Sequence, residues 1–355
     1  MKKNNRFVVA LACLLVSCLL VGDGWAAQGP ANYLHRPDSW FAGAEAKQVA
    51  ANILAWQATQ GGWPKNADTT TARATGGKPL APTFDNGATM NEMRFLARIH
   101  RATRDASYRA AFERGLAYIL NAQYPTGGWP QSYPPDGKYH RYITFNDNAM
   151  VNLMKFIREV ATDASYDFVN AEQRARARNE FDQGIQCILK CQVKVNGTLT
   201  AWCAQHDELD YRPRPARAYE LVSLSGAESV GIVRLLMSLE HPDAATVTAI
   251  QSAVAWFESV KITGRKVVEV ADAKSPKGTD RRLIEDRAAA PIWARFYEIG
   301  TNRPMFCDRD GQVKYDLADI GYERRNGYSW LGDWPANLLS KEFPQWQRAR
   351  GGSHP

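Results

Sequence analysis

The feature that most limits what this chain can fold into is a phrase it repeats. Gly61-Gly62-Trp63-Pro64 and Gly127-Gly128-Trp129-Pro130 each close a helical pattern. Each is followed by an acid–amide segment, Thr83-Phe84-Asp85-Asn86-Gly87-Ala88-Thr89 and then Thr144-Phe145-Asn146-Asp147-Asn148-Ala149-Met150. Each segment opens a further apolar pattern of helical period. A third, altered copy follows: Trp202-Cys203-Ala204-Gln205-His206-Asp207 replaces the turn, and Ser223-Leu224-Ser225-Gly226-Ala227-Glu228-Ser229 replaces the acidic helix start. Self-similarity at a period of about 65 residues is the mark of a repeat architecture whose units cannot bury their apolar faces alone. The expectation is an all-α fold, an α/α toroid of about three helical-hairpin repeats, with the long loops of one end forming a cleft.

The periodicity predicts helices over 44–59, 87–100, 106–122, 147–160, 171–191 and 244–260. Past Lys261 the pattern is irregular. A short strand is expected at 267–270, a helix at 292–299 entered through Pro291, and a last short helix near Ala336.

At the start, Lys2, Lys3 and Arg6 precede an apolar run from Phe7 to Val21, and Gly24-Trp25-Ala26-Ala27 offers small residues for cleavage. This reads as a secretory signal over 1–27. Leu15-Val16-Ser17-Cys18 also resembles a lipoprotein cleavage box, although the apolar run continues through Cys18. The run is short for a membrane span, and no later segment is a candidate. A single catalytic domain over 28–349, a disordered tail over 350–355 and an exported, monomeric protein are the corresponding expectations. Without the signal, 41 basic and 36 acidic residues remain, a net charge of +5. That excess suits an acidic partner. It is not gathered into a Lys/Arg run, which argues against nucleic acid. Cys187, Cys191, Cys203 and Cys307 remain, and their pairing cannot be read from spacing.

The chemistry gathers at the repeats. Asp85-Asn86 and Asp147-Asn148 could simply cap helices. Each pair, however, carries more hard oxygens than one cap needs, and the repeat brings both to one rim. Carboxylate and amide oxygens are calcium ligands. The third repeat brings arginines instead: Arg212, Arg214 and Arg217, with Arg295, Arg303, Arg309, Arg324 and Arg325 later. Arginines hold carboxylates bidentately. Trp63, Trp129, Trp202, Trp330 and Trp334 could stack on sugar rings or pack the core. Calcium, arginines and aromatic platforms together point to a carboxylate-rich carbohydrate.

Several strings resemble one known family. They are Gly61-Gly-Trp-Pro-Lys65-Asn66, the two acid–amide segments, Trp202-Cys-Ala-Gln-His-Asp207, Ala216-Arg217-Ala218-Tyr219-Glu220, Tyr297-Glu-Ile-Gly-Thr-Asn-Arg303-Pro and Glu323-Arg-Arg-Asn-Gly-Tyr-Ser-Trp330. Over about residues 45–335 the chain resembles the pectate lyases of polysaccharide lyase family 10. The resemblance implies a three-hairpin toroid and calcium-dependent anti β-elimination of polygalacturonate. It implies Arg217 as the catalytic base, with Tyr219 and Lys138 as weaker candidates. Arg295 and Arg309 would hold substrate carboxylates, and Asp85, Asp147 and Trp129 would contact substrate. Asp85, Asn86, Asp147 and Asn148 would be the metal site. Three other readings stand beside it. A glycoside hydrolase needs two opposed carboxyl groups, which Asp85 and Asp147 could supply. A non-catalytic pectin-binding protein would leave the Arg217 loop without a purpose. A cyclase-like toroid is suggested by Gln60 and Gln123 before the Gly-Gly-Trp turns, but it lacks an acidic or zinc site.

Overall fold

The computed structural model describes residues 29–351, apart from 75, 77 and 78. The expected signal segment lies outside this range, as does most of the expected tail; Arg350 and Gly351 belong to the last helix. Among the described residues nine α-helices run in chain order: α1 Ala44–Ala55, α2 Met90–Thr103, α3 Ala106–Asn121, α4 Ala149–Thr162, α5 Ala171–Cys191, α6 Glu228–Met237, α7 Ala244–Ser259, α8 Tyr322–Gly327 and α9 Phe343–Gly351. None among the described residues is long and apolar enough to cross a membrane. The helices pack as two rows. One contains α1, α3, α5 and α7, and the other contains α2, α4 and α6, with α2, α4 and α6 packed back on α3, α5 and α7. Their facing sides bury Leu96, Phe112, Leu153, Phe156, Ile188 and Leu235 completely.

The expected all-α toroid is not what is built. About 46% of the structure is helical and 13% lies in strands, so the class is mixed. Among the described residues twelve strands form six two-stranded antiparallel ladders. The longest is the hairpin Arg265–Ala271 with Thr279–Glu285. The major helix contacts run in series along each row, and no major contact returns from α7 or α9 to α1 or α2. The region 292–299 is extended. Trp293-Ala294 pairs with Leu331-Gly332, and Phe296-Tyr297 pairs with Leu224-Ser225. The physical reason is that the loops between helices carry backbone N–H and C=O groups that need partners once buried. They find them in the loop of the next repeat. Ile143-Thr144 likewise pairs with Gln205-His206.

The repeat itself is real and has four members. Indole N–H groups of Trp63, Trp129, Trp202 and Trp293 donate to the carbonyls of Ile53, Ile119, Ile188 and Phe257, at 2.7, 3.0, 2.7 and 2.8 Å. Each of these carbonyls lies in the last turns of α1, α3, α5 or α7, where helix carbonyls lack partners. The Trp is therefore a structural plug. Gly61 and Gly127 bring the first two plugs close. A Cβ on either would stand 2.4 Å from a carbonyl oxygen, of Arg114 or Gln183, and both have positive φ. The fourth plug has no Gly-Gly, which hid it from the sequence reading.

Candidate active site

Two residues beyond each plug stand Lys65, Gln131, Ala204 and Arg295. The backbone carbonyls of the last three accept the N–H groups of Phe84, Phe145 and Gly226 at 3.0, 2.8 and 3.0 Å. Each acid-bearing loop thus hangs from the following repeat, and the side chains at these positions face it. Lys65 forms an ion pair with Asp85 Oδ2, and Gln131 Nε2 donates to the same oxygen at 2.7 Å. Asp85 is 2% exposed, and its Oδ1 is buried without a hydrogen-bond partner. Gln131 was not picked out by the sequence, and Lys65 stood there only inside its Gly-Gly-Trp-Pro string, although the repeat places both.

In the second loop the acid moves by one residue. Asn86 and Asp147 hold the same left-handed turn position, with φ of 52° and 51°. Asp85 therefore corresponds to Asn146, not to Asp147. Asn and Asp tolerate this conformation because their short polar side chains bond locally. Asn146 Nδ2 donates to Asp147 Oδ2 at 2.8 Å. Asp147 Oδ1 accepts from Arg295 Nη2 at 2.9 Å. The same nitrogen reaches Asn146 Oδ1 at 3.4 Å and pairs with buried Glu228, which also accepts from Ser225. Burial opposes charge on Arg295, but Glu228, Tyr328 and Asp147 outweigh it and raise its proton affinity. Asn148 Oδ1 is buried without a partner. It lies 1.9 Å from where a Cβ on Gly231 would stand, so that glycine makes room for it.

The capping interpretation fails for both pairs. Neither α2 nor α4 has a side-chain cap at its N-terminus. Of these side chains, Asp85 Oδ1 and Asn148 Oδ1 are buried without a hydrogen-bond partner.

The arginine corner is built over a second small core of Tyr219, Phe296, Phe306, Leu317, Ile320 and Trp330. Arg217 Nε donates to Glu220 Oε2 at 2.7 Å and its Nη2 to Oε1. Tyr328 O–H donates to Glu220 Oε1 at 2.8 Å. Partial burial works against the Arg217 charge, but the Glu220 clamp more than offsets it, and the proton is held above the ordinary guanidinium range. Around the Tyr219 ring lie Arg324 at 4.5 Å, Arg217 at 4.9 Å and Arg309 at 5.6 Å. Arg295 lies 5.0 Å from the Tyr328 ring. Arg295, Arg217 and Arg309 thus gather in one corner around the Tyr219 and Tyr328 rings. Arg309 is exposed and pairs at 3.1 Å with Glu323, which also binds Arg324. Those two guanidinium groups pull the Glu323 pKa down to about 2. Tyr139 senses charges of both corners. Burial raises its phenol pKa first, and among the charged groups it senses are Arg217, Glu220 and Asp85. It too went unnoticed in the sequence.

Trp129 has no part in this surface. It is fully buried, with its indole bonded to Ile119, so it cannot stack on a sugar. Trp63 and Trp202 are buried in the same way. His206 accepts the Cys203 N–H at Nε2, 3.0 Å, and lies 2.7 Å from Tyr211 O through Nδ1. Burial lowers its pKa to about 4, so it is a neutral brace. The four cysteines are buried free thiols.

Comparisons with known proteins identify the family. A model of the pectic acid lyase family matches residues 57–339. A family 10 polysaccharide lyase from Cellvibrio cellulosa is 38% identical, with a TM-score of 0.75 over 89% of this chain and 95% of its own. An aspartate-to-alanine mutant of a family 10 polysaccharide lyase from the same organism, in complex with trigalacturonic acid, is 37% identical, also with a TM-score of 0.75, over 89% and 96%. A search of curated proteins returned no match. The chain belongs to the pectic acid lyase family, among the family 10 polysaccharide lyases, and is a pectate lyase.

Proposed function

We propose that this lyase acts on de-esterified polygalacturonate by anti β-elimination, with calcium, after export from the cell. The observation that carries the reading is the juxtaposition of an acid–amide corner and an arginine corner, joined by Arg295 Nη2 to Asp147 Oδ1 at 2.9 Å. A structural relative bound to trigalacturonic acid supports an acidic polysaccharide as substrate.

In the reaction a base takes the C5 proton, alpha to the uronate carboxylate. The C5–H electrons form the C4=C5 double bond, the C4–O bond breaks, and the leaving oxygen takes up a proton. Arg217 is the residue assigned to the proton removal. Its guanidinium is an uncomfortable base, and the Glu220 clamp makes it more so. The rate should therefore climb with alkaline pH. Arg295 and Arg309 are assigned to the uronate carboxylates, for which the arginine fork is suited.

The family is generally calcium-dependent. The residues present fit a hard cation. Asp85 Oδ1 and Asn148 Oδ1 are unpartnered oxygens, Asp147 is 40% exposed, and Asn86 is exposed on the same rim. Among the described residues no three His, Cys, Asp or Glu side chains gather tightly enough to hold a metal alone. A cation here would be shared with oxygens of the substrate. Bound calcium would neutralise the uronate carboxylate and so acidify the C5 proton. Asp85, Asn86, Asp147 and Asn148 are the side chains that would hold it.

The test is the ultraviolet absorbance of an unsaturated uronide on polygalacturonate at alkaline pH, with calcium and with EDTA. A rise that EDTA abolishes is expected. Reducing ends without absorbance would overturn the elimination, and a rise indifferent to EDTA would remove the metal from the reading.

A further inference from the structure

A furrow leads away from Asp85 between the first and second repeats. It has a volume of about 870 Å³. One wall is formed by segments 64–67 and 79–83, and the other by 131–134 with Asp136 and His140. At its inner end stand Lys65 and Gln131, the two partners of Asp85. Its outer end reaches Trp56 at the end of α1.

Both walls are tied in place. The first is held by Thr83 N–H to Trp63 O at 3.0 Å and by the antiparallel bridge between Pro64 and Pro82. The second is closed by Gln131 N–H to His140 O at 2.8 Å and by Tyr133 N–H to the Tyr118 hydroxyl at 3.1 Å. A cleft with fixed walls binds without the cost of ordering them.

Its lining has the chemistry of a sugar acid. Lys65 is 38% exposed, and an ammonium has three donors. One meets Asp85, which leaves two for a carboxylate. Gln131 Oε1 is buried without a partner and can accept a hydroxyl. His140 Nδ1 is engaged with Asp136 Oδ2 at 2.8 Å. That contact occupies Nδ1 and leaves Nε2 to meet a second hydroxyl. Trp56 and Tyr133 supply aromatic surface with polar edges, which suits a partly wet sugar face.

We infer that this furrow is a distal subsite for a non-reacting uronate unit of the same polysaccharide chain, held by Lys65, Gln131 and the Asp136–His140 pair. The inference rests on the pectate lyase reading. It makes the enzyme favour long chains over short ones.

The test fills the furrow from an exposed position. Ala81→Trp and, separately, His140→Ala are assayed on polygalacturonate and on the shortest oligogalacturonate that the parent cleaves, with thermal unfolding as the control for folding. With melting unchanged, KM on the polymer should rise roughly tenfold, the scale of one or two lost contacts. Both constants on the shortest oligomer should stay as in the parent. Equal effects on long and short substrates, or none on either, would overturn the subsite. A parent that forms no unsaturated product at all would instead count against the lyase reading, so the two failures are distinguishable.

Discussion

The N-termini of α3, α5 and α7 and those of α2 and α4 use the same residue types for opposite purposes. Asp105, Asn170 and Asp243 each accept a backbone N–H at a helix start, from Ser107, Gln173 and Thr246, all at 2.8 Å. Those oxygens are spent on the fold. Before α2 and α4 the chain carries Asp85-Asn86 and Asp147-Asn148, and none of these side chains caps. The left-handed residues there turn the chain so that the oxygens face the rim. Residue type alone does not distinguish a cap from a ligand. What distinguishes them is where the neighbouring repeat is attached, because Gln131 and Ala204 hold the acid loops in a shape that leaves the N–H groups elsewhere.

The comparison can be broken most sharply at the corner opposite those loops. Arg217→Ala should lower kcat by about 10² to 10⁴, the usual worth of a general base, with melting little changed. Retained activity would remove Arg217 from the base role. In the parent, log kcat/KM should rise with pH through the alkaline range without levelling near neutrality. The base works deprotonated, and Glu220 holds its proton tightly. A plateau near pH 7 would point to another base.

Next is Asp147→Asn. It preserves the left-handed turn and is exposed, so stability should hold. Activity should fall on the order of a hundredfold, as about 2.7 kcal/mol of charge stabilisation is lost. Normal activity would move the site away from this loop.

A third test uses Glu92, in the first turn of α2, whose buried carboxyl is also not a cap. Burial pushes its pKa up to about 7, while the Thr69 hydrogen bond pulls the other way. A carboxyl with a raised folded pKa adds stability below its unfolded value of 4.5 and loses it as pH rises through about 7. That loss is roughly 3 kcal/mol. Glu92→Gln stays neutral, so its melting temperature should not show this decline between pH 4.5 and 8. Parallel profiles for parent and variant would refute the assignment.

The smallest effect belongs to the caps. Asp243→Ala should cost about 1 kcal/mol of stability and leave turnover unchanged. A loss of activity with unchanged melting would erase the distinction between the two kinds of helix start.

Much of this could be read in advance. The helix α5 spans 171–191 as its apolar period predicts, and the expected strand at 267–270 lies inside the longest hairpin. Asp85, Asp147 and Arg217 were visible because their strings repeat or stand out. Arg295 was visible but misplaced. Its neighbours Trp293, Phe296, Tyr297 and Ile299 mimic a helical period, and only pairing with Leu331 and Leu224 settles them as extended. Propensity is a weak prior where a partner strand is available. Gln131 and Tyr139 carried no local signal, and Lys65 and Glu228 stood in their strings without a role, since their meaning lies in what faces them from another repeat.

By itself the sequence determined the repeat, most of the helices, and a chemistry of acids, amides and arginines suited to a uronate polymer. Those are local matters of period and residue type. Tertiary structure alone decided that the fold mixes helices with short ladders, that Trp129 is a plug and not a platform, and that Asp147 answers to Asn86 in the turn. It also decided that Arg295 bridges Asp147 and Glu228, residues far apart in the chain. The physical reason is that buried backbone groups and buried charges must find partners. Those partners come from whichever repeat lies next in space, which periodicity along one chain does not specify.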